Sequence, residues 1–192
     1  MFTLNLKSFL RGDFLRKEDG AIALETVIII PIMFWAYMSA LSIFDAFRQY
    51  SMHQKGAYTI SDMISRETVP IDANYLAGAH RLFDTLTRSP QDSTIRVSVV
   101  YWDARNERID LDWSQSTGRS SPLTASTVRG WGDRLPNMVD GERLIIVETS
   151  AFYSPPFRTG LENREIQNFI FTRPRYAPQV LWDDGSDTAP GV

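Results

Sequence analysis

Residues 26–44 carry no charged side chain. As a helix, that run of 19 residues is about 28 Å long at ~1.5 Å per residue, which matches the hydrocarbon core of a bilayer. The chain-wide average conceals this, because apolar residues are concentrated between positions 21 and 47 and a polar remainder balances them. A cleaved secretory signal is the competing reading. Its apolar region usually spans about 7 to 15 residues and ends at a small-x-small site, whereas this run is longer and Met38-Ser39-Ala40 fits such a site poorly. A retained single-pass anchor is expected, with the lipid bilayer as its solvent. Lys7, Arg11, Arg16 and Lys17 precede it, and Arg48, Lys55 and Arg66 follow it. That modest bias favours an N-terminus in the cytoplasm and the rest of the chain outside it, which in a Gram-negative bacterium means an inner-membrane anchor and a domain in the periplasm or beyond.

Beside the anchor, 192 residues leave room for one further domain. A formal charge of -3 with no basic face excludes a general nucleic-acid binder. Cysteine is absent, so disulfides, thiolate metal sites and cysteine nucleophiles are excluded. Four stretches follow: a polar leader at 1–20, the span at 21–47, a periplasmic α+β domain at 48–176, and an acidic tail at 177–192. The tail carries Asp183, Asp184 and Asp187 among glycine and proline and reads as disordered.

Within the domain, Phe47, Tyr50, Ala57, Ile60 and Ile64 recur at helical spacing, so the anchor helix continues to about Arg66 and stops before Val69-Pro70. Asp72 is an N-cap signal for a second helix, with Leu76, Ala79, Phe83 and Leu86 as its buried stripe and Ser89-Pro90 as its end. Two-residue alternation then predicts a hairpin. Ile95, Val97, Val99 and Tyr101 form one strand and Ile109, Leu111 and Trp113 the other, joined through Asp103, Ala104, Arg105 and Asn106. Residues 115–121 read as loop, 124–134 as a short helix, 144–153 as the best strand and 167–172 as an antiparallel fourth. The expected fold is α+β: a long N-terminal transmembrane helix and a second helix, packed on one face of a small, about four-stranded antiparallel sheet.

The start of the span, Gly20-Ala21-Ile22-Ala23-Leu24-Glu25, sets one carboxylate at the mouth of an apolar helix. Near a helix end the cost is below the ~2.5 to 3.5 kcal/mol of an acidic residue at the bilayer centre, yet it is unfavourable without a partner. Cleavage after Gly20 would supply one: the new amino group of Ala21 lies one helical turn from Glu25, and the two attract strongly in apolar surroundings. In a bundle, the amine of one chain would neutralise Glu25 of its neighbour. Alternatively, Glu25 sits in the interface and favours the positive end of the helix dipole, for about 0.3 to 1 kcal/mol. Pro31 removes the amide that would bond to the Val27 carbonyl and marks a possible helix kink, although bilayer helices also tolerate proline.

A basic leader ending in glycine, a glutamate five residues on and a long apolar helix together resemble prepilins. The run Glu25-Thr26-Val27-Ile28-Ile29-Ile30-Pro31, with Asp45-Ala46-Phe47-Arg48 closing the span, is similar to the TadE-like pseudopilins of tight-adherence (Tad/Flp) pili. The resemblance covers roughly residues 20–48. Glu18 and Asp19 dilute the basic leader, and Thr26 stands where an aromatic residue is common. It implies a minor pilin or pseudopilin cleaved after Gly20, with Gly20 and Ala21 read by a prepilin peptidase and Glu25 used in assembly. Implied partners are that peptidase, other pilins or pseudopilins of the same system and a secretion machine, in surface adhesion and biofilm formation.

Elsewhere the sequence offers little chemistry, and no cofactor or metal is expected. His53 and His80 belong to no metal-ligand spacing and read as helix-surface residues. Asp110 and Asp112, on one side of a strand, would hold a divalent cation with Asp103 only if they were not a solvated strand face. No nucleophile elbow or phosphate loop occurs, and Gly130-Trp131-Gly132 lacks the rest of a dinucleotide fingerprint. Trp102, Trp113 and Trp131 read as core or sheet aromatics. No enzyme is expected; behind the pseudopilin stands an uncleaved membrane-anchored periplasmic interaction domain, and last a membrane-tethered enzyme using Asp103, Asp110 and Asp112.

Overall fold

The computed structural model describes residues 18–88, 93–157 and 160–185. Most of the predicted leader, with Lys7, Arg11, Arg16 and Lys17, lies outside the described residues, as do Ser89-Pro90 and the tail beyond residue 185. In chain order the elements are α1 (Glu18–Ser65), α2 (Ala73–Thr87), β1 (Thr94–Asp103), β2 (Arg108–Thr117), α3 (Ala125–Val128) with a 3-10 turn at Arg129–Trp131, β3 (Arg143–Tyr153) and β4 (Arg164–Thr172). The fold is α+β, with the strands in the order β2-β1-β3-β4 and every neighbouring pair antiparallel. Two compact units divide it. One holds α1 as far as Asp45 with the segment Pro155–Glu162, and the other holds the remainder of α1, α2 and the sheet.

In the second unit, Ala57, Ile60 and Ile64 of α1 pack with Leu76, Ala79 and Phe83 of α2 on one sheet face, over Ile95, Val97, Val99, Ile145, Val147 and Ile170. Gly56 lets the two helices approach: a Cβ there would stand 3.2 Å from the Phe83 ring and from Thr87 Cγ2. Helix α2 starts as expected, with the Asp72 carboxylate accepting from the Tyr75 amide at 2.7 Å. That hydrogen bond holds Asp72 below the usual carboxylate range. The buried stripe differs in its last member. Thr87 is buried and Leu86 exposed, because position 87 follows Phe83 by one turn at the centre of the packed face while position 86 lies at its margin. The helix closes at Arg88, which takes the left-handed conformation (φ 56°) and returns its amide to the Asp84 carbonyl.

Two strand expectations change. Val99 faces Trp113 and Val100 faces Leu111, so Asp112 is a bulge residue without a cross-strand partner. The bulge turns Trp113 to the helix face while Ile109 and Leu111 join a second cluster on the opposite face. Ile109, Leu111 and Trp113 therefore do not share a side. Strand β2 also runs to Thr117, through residues read as loop, because pairing with Ile95, Arg96 and Val97 supplies the backbone bonds that its polar side chains do not advertise.

The second cluster packs Val128, Trp131 and Leu135 on Val100, Ile109, Leu144 and Ile146. Part of the sheet's other face is thus covered too, by the short α3 segment. The tail is corrected over its described part. Val180 is buried, Trp182 lies 5.6 Å from Trp113 between ring centroids, and Ile71 bonds to Leu181 and Asp183 through its backbone at 3.0 and 2.9 Å. Burial of Val180 and partial burial of Trp182 outweigh the acidic composition around them, since a fully buried apolar side chain contributes roughly 1.5 to 3 kcal/mol.

Candidate functional site

All four residues singled out in the sequence lie in α1. Gly20 and Ala21 are in helical backbone, Glu25 follows Ala21 by one turn, and Pro31 sits inside a helix assigned without interruption on both sides. Every side chain at positions 22–37 is exposed, with Val27 at 71% and Phe34 at 63%. The Thr26 hydroxyl donates to the Ile22 carbonyl at 2.8 Å, so this polar side chain is satisfied within the helix itself. Glu25 is exposed among them. Helix α1 is thus long and apolar enough to cross a membrane, and the structure brings Gly20, Ala21, Glu25 and Pro31 together only as neighbours along one helix. At the end of the uncharged run Asp45 is half-buried and Arg48 exposed.

The aspartates considered for a cation are dispersed. Asp103 caps the hairpin turn, accepting from the Arg105 and Asn106 amides at 2.9 and 3.2 Å, and the Asn106 side chain beside it is the main cause of its lowered pKa. Asp110 is buried between Arg108 and Arg129, at 2.9 and 3.3 Å. Asp112 pairs with Arg143 at 3.2 Å. Among the described residues no group of three or more histidines or acids is placed to hold a metal.

The histidines are not helix-surface residues. His53 is 2% exposed, edge-on to Phe83 at 5.9 Å, and burial holds its pKa below the usual imidazole value. His80 joins Ser93 and Asp84 in a trio that sequence separation hides. The Ser93 hydroxyl donates to Asp84 Oδ1 in close contact. His80 Nε2 lies 2.7 Å from Ser93 Oγ and 3.1 Å from the Ser93 carbonyl oxygen, and a carbonyl can only accept, so Nε2 is assigned the ring proton. A protonated nitrogen cannot take the serine proton, and the carboxylate here meets the serine rather than the other ring nitrogen, as a relay requires. The trio ties α2 to the start of β1.

A polar cavity of about 370 Å³ opens on the sheet face that α3 leaves uncovered. Its floor carries Arg96 Nε paired with Glu148 Oε2 at 2.7 Å, and the hydroxyls of Thr94, Ser120 and Ser150 linked at 2.8 and 3.0 Å. Glu165, Gln167, Phe169 and Arg134 line the side formed by β4. Alternation in β1 and β4 placed these polar residues away from the main core, but nothing in the sequence set Arg134 beside them. No family model, curated protein or solved structure matches the chain.

Proposed function

We propose that this chain is a pseudopilin-like protein of the tight-adherence type, anchored in a bacterial inner membrane by α1 and processed after Gly20. The observation that carries the reading is an apolar helical stretch, residues 22–37, with every side chain exposed and one carboxylate within it, Glu25, one turn beyond Ala21. Such a surface is unstable in water and fits lipid or the apolar flanks of like helices. Cleavage exposes the Ala21 amine, which compensates Glu25 of the same or a neighbouring chain, so processing and lateral helix packing become coupled. The partners are a prepilin peptidase and other pilins or pseudopilins of the same system; the domain that follows α1 lies in the periplasm, and the role is structural.

Intact-mass or N-terminal analysis of the protein recovered from membranes tests this. Chains beginning at Ala21 are expected in cells with an active prepilin peptidase. Recovery only of chains beginning at Met1 in such cells overturns the proposal and leaves an uncleaved, membrane-anchored interaction domain.

A further inference from the structure

Strand β4 is an edge of the sheet, pairing with β3 without a bulge and with no other strand among the described residues. The opposite edge differs, because β2 is bulged at Asp112, and a bulge blunts an edge against further pairing. Within its 9 residues β4 has neither proline nor glycine. Its outward backbone groups therefore form an unbroken template for another strand.

The side chains beside that edge specify which strand. On the cavity face β4 presents Glu165, Gln167 and Phe169. The Arg134 guanidinium stacks 4.2 Å from the Phe169 ring centroid and 5.1 Å from that of Trp131, which orients it while leaving its N–H groups available. Arg134 makes no ion pair among the described residues, and exposed Glu165 is bonded there by Gln167 alone, at 2.8 Å. One edge thus holds a cation over Phe169 and an anion four residues away, about 13 Å at ~3.3 Å per residue.

That spacing is self-complementary. Two antiparallel β4 strands related by a two-fold axis through Gln167 place Gln167 against its own copy and Glu165 against the partner's Phe169. An axis normal to the sheet keeps like faces together, so Glu165 reaches the partner's Arg134 while the reciprocal pair forms at the same time. Opposed side chains stand about 4.5 to 5.5 Å apart at Cβ, and the cavity admits the incoming carboxylate. We propose that the chain associates with a second copy of itself through β4, in this register, extending the sheet across the two-fold axis. The interface is narrower than a stable soluble dimer needs, so the association is weak and is best trapped covalently. It does not depend on cleavage at Gly20 or on the role of Glu25.

The absence of cysteine allows a direct test on the full chain. Antiparallel partners have Cα atoms about 4.5 or 5.5 Å apart, inside the disulfide range of about 4.4–6.8 Å. Mild oxidation of Gln167→Cys is therefore expected to give a covalent dimer on a non-reducing gel. Glu165→Cys, about 13 Å along the strand from its own copy, is expected to give little. In the Gln167→Cys background, Arg134→Glu should lower the dimer yield about threefold or more, because two ion pairs become two repulsions. Adding Glu165→Arg should restore it, which also shows that the single variant was folded. Absence of dimer from Gln167→Cys, equal yields from both cysteine positions, or no restoration in the charge swap overturns the proposal.

Discussion

The indole N–H of Trp113 donates to the Val180 carbonyl at 2.8 Å, so a residue at the middle of β2 holds the chain segment that follows the last strand. Trp182 packs against the same indole at a tilt of 40°, and Val180 is buried. Trp113→Phe should therefore lower stability by about 1 kcal/mol through the lost hydrogen bond. Val180→Asp should cost more, by placing a charge in the core. Urea unfolding of the detergent-solubilised chain measures both, and proteolysis after residue 176 should accelerate in the second variant first.

Gly56→Ala sets two effects against each other. Alanine favours the helix by about 1 kcal/mol, but the new methyl would stand 3.2 Å from the buried Phe83 ring and from Thr87. Overpacking of a filled core costs about 1 to 3 kcal/mol, so crowding wins and the variant should be destabilised by about 1 kcal/mol. In a double-mutant cycle with Phe83→Leu, the second substitution should relieve part of that loss. Strict additivity would mean that the two positions do not meet.

His53 makes the domain sensitive to acid. Burial lowers its folded-state pKa beneath the 6.5 of a free imidazole, so the unfolded chain binds the proton more readily than the folded one. The neutral ring contributes full stability above pH 6.5, and that contribution is lost progressively as pH falls from the unfolded-state value through the lower folded-state one. Unfolding free energies of the natural chain and His53→Gln should converge between pH 7 and pH 5, with the natural chain showing the steeper decline.

Arg108 and Arg129 already neutralise Asp110 at 2.9 and 3.3 Å. Calorimetric titration with calcium or manganese should accordingly give no binding heat that Asp110→Asn abolishes. Such a heat would restore the enzyme reading based on Asp103, Asp110 and Asp112.

If the proposed function holds, Glu25→Ala should leave processing after Gly20 largely intact and reduce pilus assembly, because that proposal gives the carboxylate a part in helix packing and none in recognition by the peptidase. Mass analysis and counting of surface pili separate the two. Normal piliation would remove the charge-pairing argument.

Local patterns made much of the fold legible. The uncharged run, the helical spacing of Ala57, Ile60 and Ile64, the Asp72 cap and the hairpin turn at Asp103 each depend on neighbours within a few residues, and each is found where the sequence places it. Gly20, Ala21, Glu25 and Pro31 lie within a dozen positions of one helix, so their grouping was also visible in the sequence.

Relations among distant residues were not. Thr87 replaces Leu86 in the α2 stripe, the bulge at Asp112 separates Leu111 from Trp113, and His53 disappears beneath Phe83. Val180 and Trp182 are anchored by a tryptophan far earlier in the chain. In each case the outcome depends on which surface is left uncovered after the sheet and helices pack, and that is a property of the whole assembly. By itself the sequence determined that one helix is long and apolar enough to cross a membrane and that an α+β domain follows it, because periodicity and hydrophobicity act locally. Only the tertiary structure decided which faces of that domain are closed and that β4 presents an open, self-complementary edge, because strand order and the stacking of Arg134 on Phe169 join residues that no local pattern connects.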